Sequence, residues 1–129
     1  MVERYLVDSN VIIDFSANRI SDNGTQFVEN LFDSNFIISV VTEIEVLGYD
    51  EIPSKINLLE EFLNTAFIFQ LDKEIVKQTI LLRRKVKKLK LGDAIIAATA
   101  LTKNLILITR NTKDFEKILD LKTMNPYEL

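Results

Sequence analysis

The chain has 129 residues with a hydrophobic fraction of 47%, enough for one domain with a real core and too short for two. It contains neither cysteine nor histidine, which excludes disulfide frameworks, thiolate or imidazole zinc sites, and Ser-His-Asp or Cys-His catalysis. The net charge of −3 is unevenly spread: residues 1–72 carry 13 acids and 3 bases, residues 73–129 carry 6 acids and 13 bases. That polarity suits a protein that gathers cations at one place and polyanions at another.

Taken in chain order, Arg4–Asp8 reads as a strand and Val11–Ala17 as a helix entered through Ser9 or Asn10. Glu3 and Asp8 interrupt the apolar N-terminal stretch, so no secretory signal is expected. Asn18 to Thr25 is polar and turn-like with Gly24 as a break, and Gln26–Phe32 reads as a short helix. Phe36–Val41 is a continuous, β-branched apolar run, the pattern of a strand buried on both faces. Thr42–Leu47 turns straight into a helix ending near Gly48, and Pro53 opens another that runs to Leu63.

Ala66–Leu71 forms a third strand, and Asp72 is placed to cap a long helix behind it. In that helix Ile75, Thr79, Leu82, Val86 and Leu89 make one apolar stripe, with Lys73, Lys77, Arg84, Lys87 and Lys88 opposite. Gly92 and Asp93 begin an alanine-rich helix, Leu105–Thr109 is a fourth strand, and Leu121–Met124 adds a short edge strand. The longest uncharged apolar stretch, Ala94–Leu101, is too short to span a bilayer. Apolar strands alternating with helices predict a single three-layer α/β/α domain over residues 1–129, around a mainly parallel sheet of 4–5 strands. A soluble, cytoplasmic protein follows as the default.

Parallel sheets bind ligands beyond the carboxyl ends of their strands, and acids gather there. Asp8 ends the first strand, Glu43 and Glu45 follow the second, and Asn111 and Asp114 follow the fourth. Asp93 stands at a helix start reached by a crossover. Singly each has a plain alternative: Asp8 or Asp93 as a helix cap, Glu43 or Glu45 as an exposed helix residue, Asp114 as the start of a short helix. Together they form a carboxylate cluster that needs a cation between its members. Oxygen-only ligation points to Mg²⁺ or Mn²⁺, and such an ion suits phosphodiester hydrolysis.

The stretches "LVDSN", "ISVVTEIEVLG", "LKLGDAIIAATAL" and "LILITRNTKDF" resemble, in order and over nearly the whole chain, the PIN-domain nucleases. The likeness is strongest to the VapC-type toxins of toxin–antitoxin pairs. It implies a PIN fold, metal-dependent cleavage of RNA, homodimerisation and inhibition by a cognate antitoxin. Carried over by position, the acids are Asp8, Asp93 and Asp114, with Asn111 beside the last. The second acid is Glu45 counting from Ser39 and Thr42, or Glu43 counting from Gly48. Thr109 is placed to hydrogen-bond a metal-bound water or a phosphate.

"RRKVKKLK" puts six bases in eight residues immediately before Asp93. One reading is a solvated helix face; the other is an RNA-backbone contact through Arg83, Arg84, Lys87, Lys88 and Lys90, with Arg110 beyond the fourth strand. No aromatic residue interrupts the run, so base stacking is not supported there. The expected function is thus metal-dependent endoribonuclease. Its rivals are a PIN-like binding module that no longer cuts and a metal-dependent phosphatase. "DSN" lacks the second aspartate of the common aspartyl-phosphate motif. Ile12, Phe15, Leu59 and Phe62 are more apolar surface than one small core requires, and so mark a partner or dimer contact or else pack inside.

Overall fold

The computed structural model describes residues 3–129. Strands and helices alternate: β1 (Tyr5–Val7), α1 (Ser9–Ser16), α2 (Asp22–Ser34), β2 (Ile37–Ser39), α3 (Val40–Leu47) and α4 (Pro53–Leu63) make the first half. The second half is β3 (Phe67–Phe69), α5 (Lys73–Lys85), α6 (Leu91–Lys103), β4 (Ile106–Ile108), a 3-10 turn at Thr112–Phe115, β5 (Thr123–Met124) and a final turn at Pro126–Glu128. All paired strands are parallel, in a ladder β1-β4-β5 and a ladder β2-β3, with β1 and β2 alongside each other. The expected parallel sheet is thus present as five short strands hydrogen-bonded in sets of three and two.

The layers follow from the two-residue period of a strand. Leu6, Ile37 and Leu107 join Ile75 and Leu82 of α5 and Ala94 and Ala97 of α6 in one core. Their neighbours Val7, Ile38 and Ile108 point the other way, into a second core with Val11 and Ile12 of α1, Val28 of α2 and Leu59 of α4. Two cores back to back on one sheet make the α/β/α sandwich. The alanines of α6 let its backbone approach closely; Ala94, Ala97, Ala98 and Ala100 are all buried. That helix stops at Asn104, whose left-handed conformation (φ 56°) lets the Leu105 N–H bond the Ala100 carbonyl at 2.8 Å. No helix among the described residues is long and apolar enough to cross a membrane.

Several boundaries differ from the sequence reading: the strand expected over Phe36–Val41 ends at Ser39, which caps α3, so Val40 and Val41 are helical, and three further differences bear on the packing. First, α1 starts at Ser9 rather than Val11, because Asp8 is its cap: the carboxylate accepts the Ser9 N–H. Second, the polar stretch before Gln26 is helical from Asp22, capped by Ser21, and Gly24 lies inside the helix. A Cβ at Gly24 would collide with the Pro126 carbonyl and the Ile20 side chain, so this glycine admits the C-terminal turn rather than breaking a helix. Third, α5 ends at Lys85, and Val86 is extended. The Arg83 guanidinium donates to the Leu89 carbonyl at 2.9 Å and closes the turn that follows. Val86 and Leu89 still pack on the α5–α6 core, but from a turn; Lys87 and Lys88 therefore belong to a loop rather than a helix face.

Candidate active site

The site is set by the register of β1 on β4. Val7 pairs with Ile108, so the next residues, Asp8 and Thr109, emerge side by side at the carboxyl end of the sheet. Asp8 is nearly closed off from solvent, at 4% exposure. One carboxylate oxygen accepts the Ser9 N–H at 2.8 Å; the other accepts the Thr109 hydroxyl at 2.8 Å and the Asn10 side-chain amide at 3.1 Å. Burial pushes the Asp8 carboxyl above the ordinary aspartate range, and these hydrogen bonds pull against it. The structure thus makes Asp8 both a cap and a buried acid on the rim.

Glu45 reaches the same place from α3. Its carboxylate accepts the Ser9 hydroxyl at 2.9 Å, which joins the start of α1 to α3. Residues two apart on a helix point to different sides, so Glu43 and Glu45 cannot both face Asp8; Glu45 does. Gly92, at the start of α6, lies against Glu45: a Cβ there would stand 3.6 Å from the glutamate oxygen. Asp93 follows in the first turn of α6, while the cap position belongs to Lys90, so Asp93 is not the cap.

The electrostatics bring the set together. Asp93 is half-buried, and its pKa is raised to about 6, by burial first and then by the charges of Asp8, Asp114 and Glu45, with Lys90 opposing. Asp114 lies on the 3-10 turn after β4, exposed, its N–H bonded to the Asn111 carbonyl at 3.0 Å. The Asn111 N–H bonds the Thr109 hydroxyl oxygen at 3.1 Å, so Thr109 ties the turn to Asp8. Four acids from four segments therefore share one rim, and Glu43 is not among the charges that act on Asp93.

Among the described residues, no three acids stand close enough to form a ready-made metal cage. Asp8, Asp114 and Glu45 act on Asp93 through their charge rather than through a shared point of contact. An all-oxygen donor set in a chain without histidine or cysteine fits a hard divalent cation. Mg²⁺ keeps several of its waters when bound, so not every acid has to touch it.

A second network adjoins the first and has no signature in the sequence. Asp14, buried on α1, pairs with Arg110 at 2.7 Å and accepts the Tyr127 hydroxyl. Burial and the neighbouring Asp14 push the Tyr127 phenol well above its ordinary value. The Asn10 side chain links the two networks, accepting the Arg110 N–H at 3.1 Å while donating to Asp8. Of the bases expected at RNA, Arg110 is thus committed to Asp14 and Arg83 to the Leu89 carbonyl. Arg84 is exposed on α5, and Lys87, Lys88 and Lys90 are exposed in the loop before Asp93. The apolar residues singled out near the N-terminus divide: Ile12 and Leu59 are core, Phe15 and Phe62 half-buried.

Acids on the carboxyl rim of a parallel α/β/α sandwich are the architecture of a PIN domain. The PIN domain family matches residues 5–120, and the chain belongs to that family. Within it, the chain is 29% identical to Ribonuclease VapC1 of Haemophilus influenzae (strain R2866), over 92% of this chain and 94% of that protein. It is 30% identical to Ribonuclease VapC1 of Methanocaldococcus jannaschii, over 89% of this chain and 81% of that one. Among solved structures, a chain of a toxin-antitoxin complex from Klebsiella pneumoniae superposes with a TM-score of 0.79 at 33% identity, covering 97% of this chain and 99% of that chain.

Proposed function

We infer that this chain is an endoribonuclease that uses a divalent metal, the toxin of a type II toxin–antitoxin pair, with the whole reaction carried by one PIN domain. The observation that carries this is the convergence of Asp8, Glu45, Asp93 and Asp114, whose charges add to burial in raising the Asp93 pKa to about 6. The ribonuclease relatives and the toxin–antitoxin neighbour support it. Mg²⁺ or Mn²⁺ is the cofactor, held by the four acids directly or through water. When bound, such an ion lowers the pKa of a water and offsets charge on the phosphoryl oxygens.

The chain's own groups prepare that site. Thr109 and Asn10 hold one Asp8 oxygen and the Ser9 N–H holds the other, so the carboxylate is fixed in orientation. Ser9 holds Glu45 in the same way. Well above pH 6 Asp93 carries full charge and becomes an effective ligand; below it, a proton competes with the metal. Lys90, next to Asp93, and the neighbouring lysines attract the phosphate backbone without sequence choice. Such a protein works in the cytoplasm, as a homodimer held in check by its antitoxin. An apolar groove between α1 and α4, lined by Phe15, Ile52, Leu58 and Phe62, supports the antitoxin reading, since Ile52 and Leu58 are largely exposed there.

Cleavage of single-stranded RNA in Mg²⁺ or Mn²⁺ tests the reading. Asp8→Asn and Asp93→Asn are expected to abolish it in a folded protein, and EDTA to do the same to the unaltered chain. Glu45→Gln is expected to lose far more activity than Glu43→Gln. Cleavage that survives both EDTA and Asp93→Asn would sink the metal mechanism. A folded chain that binds RNA in metal but never cuts it would be a silent binding module.

A further inference from the structure

A cleft of about 590 Å³ takes in Asp93 and Asp114 but neither Asp8 nor Glu45. One wall is the end of α5 and the loop after it, carrying Lys85, Lys87, Lys88 and Lys90; the other is the 3-10 turn and its continuation, carrying Lys113 and Lys117. All six lysines are exposed, and none is engaged in an ion pair among the described residues. Glu116 is the one acid in these walls besides Asp93 and Asp114. Both walls are anchored: Leu89 on one side, Phe115 and Ile118 on the other, are buried in the same core, and Arg83 closes the loop through the Leu89 carbonyl. The lysines thus face one another from backbones that the core holds in place.

The helices that pack on the other core have the reverse character. The segment 40–63, which forms α3 and α4, holds six acids and a single base. That base, Lys55, is already paired with Glu51 at 3.3 Å. A polyanion leaving the rim in that direction meets like charge and apolar surface; leaving through the cleft, it meets six unpaired cations.

We propose that this cleft is a one-sided track for the RNA strand, in which Lys113 and Lys117 bind backbone phosphates opposite Lys87 and Lys88, on one side of the scissile phosphate and not the other. The proposal rests on the nuclease reading and sharpens it. Lys113 and Lys117 lie outside the conspicuous basic run, and only the fold turns them toward it.

Two measurements test it. In the first, a fluorescent single-stranded RNA is titrated against the protein over a range of salt concentrations. Each phosphate that Lys113→Ser/Lys117→Ser no longer binds is expected to flatten the salt slope by about 0.7. Lys122→Ser/Lys73→Ser, both at exposed positions outside the cleft, is expected to leave the slope unchanged. A slope equal in all three proteins overturns the proposal, whether or not the chain cuts RNA. In the second, neutral methylphosphonates replace the phosphates on one side or the other of a mapped cut. The expected result is a several-fold rise in KM for one side only, a sensitivity that is absent from the double variant. Equal sensitivity on both sides, or asymmetry that the double variant keeps, also overturns it. Absence of all cleavage by the unaltered chain in Mn²⁺ would instead count against the nuclease reading, and the salt slopes would still decide the track.

Discussion

At the scale of single residues, the Asp93 carboxyl links stability to function. Its folded pKa, about 6, lies above its ordinary value of 3.8, so folding takes up a proton between those limits. Its contribution therefore favours the fold below about pH 4 and is lost as pH rises through 6. For a half-buried group, screening leaves on the order of 1–2 kcal/mol of this shift. Asp93→Asn is expected to raise the melting temperature of the metal-free protein by a few degrees at about pH 7.5, with little change near about pH 4. Calorimetry at the two pH values checks it; an equal shift at both would mean that the cost of ionising Asp93 in its half-buried, acidic surroundings is not the cause. Thr42 makes a second case. Its hydroxyl is fully buried on α3 and has no hydrogen-bond partner among the described residues, so Thr42→Val is expected to stabilise the protein by about 1 kcal/mol, measured by urea unfolding.

At the scale of elements, helix propensity and packing disagree at Gly24, and packing wins. Glycine inside a helix ordinarily costs about 1 kcal/mol relative to alanine. Here a Cβ would strike the Pro126 carbonyl and Ile20, so Gly24→Ala is expected to destabilise by roughly 1–3 kcal/mol. A Gly24→Ala protein more stable than the parent would show that the C-terminal turn yields without cost. The end of α5 follows a related logic. Val86 and Leu89 continue the apolar stripe of that helix, and both still pack on the core, yet the helix stops at Lys85. A stripe reports which side chains are buried, not which backbone carries them. The change from helix to loop is what frees Lys87 and Lys88 to form one wall of the cleft.

At the scale of the whole molecule, the uneven charge along the chain becomes a division of space around one rim. The acid-rich half supplies Asp8 and Glu45 and the negative α3–α4 flank, and the base-rich half supplies Asp93, Asp114 and the lysine cleft. A cation that binds only the folded chain stabilises it by mass action, about 2.7 kcal/mol at roughly a hundred times its Kd. Mn²⁺ or Mg²⁺ is therefore expected to raise the melting temperature of the unaltered protein and to raise that of Asp8→Asn much less. An equal response in the two would leave Asp8 with its capping role alone.

The sequence by itself determined the alternation of strands and helices, the capping role of Asp72, the proline start of α4 and the placing of acids after strands. These are local properties, written in periodicity and in residues whose backbone preferences are strong. The family was legible for the same reason, since its stretches fall at the ends of β1, β2 and β4 and at the start of α6. What only the tertiary structure decided are relations between distant segments. Ser9 reaching Glu45, Asp93 lying in the field of Asp8 and Asp114, Arg110 turned to Asp14, and Gly24 admitting Pro126 each join residues that sequence order separates. The choice between Glu43 and Glu45 belongs to this second kind. Both are ordinary residues of α3, and only the packing of that helix against α1 brings Glu45 to the Ser9 hydroxyl and its charge to bear on Asp93.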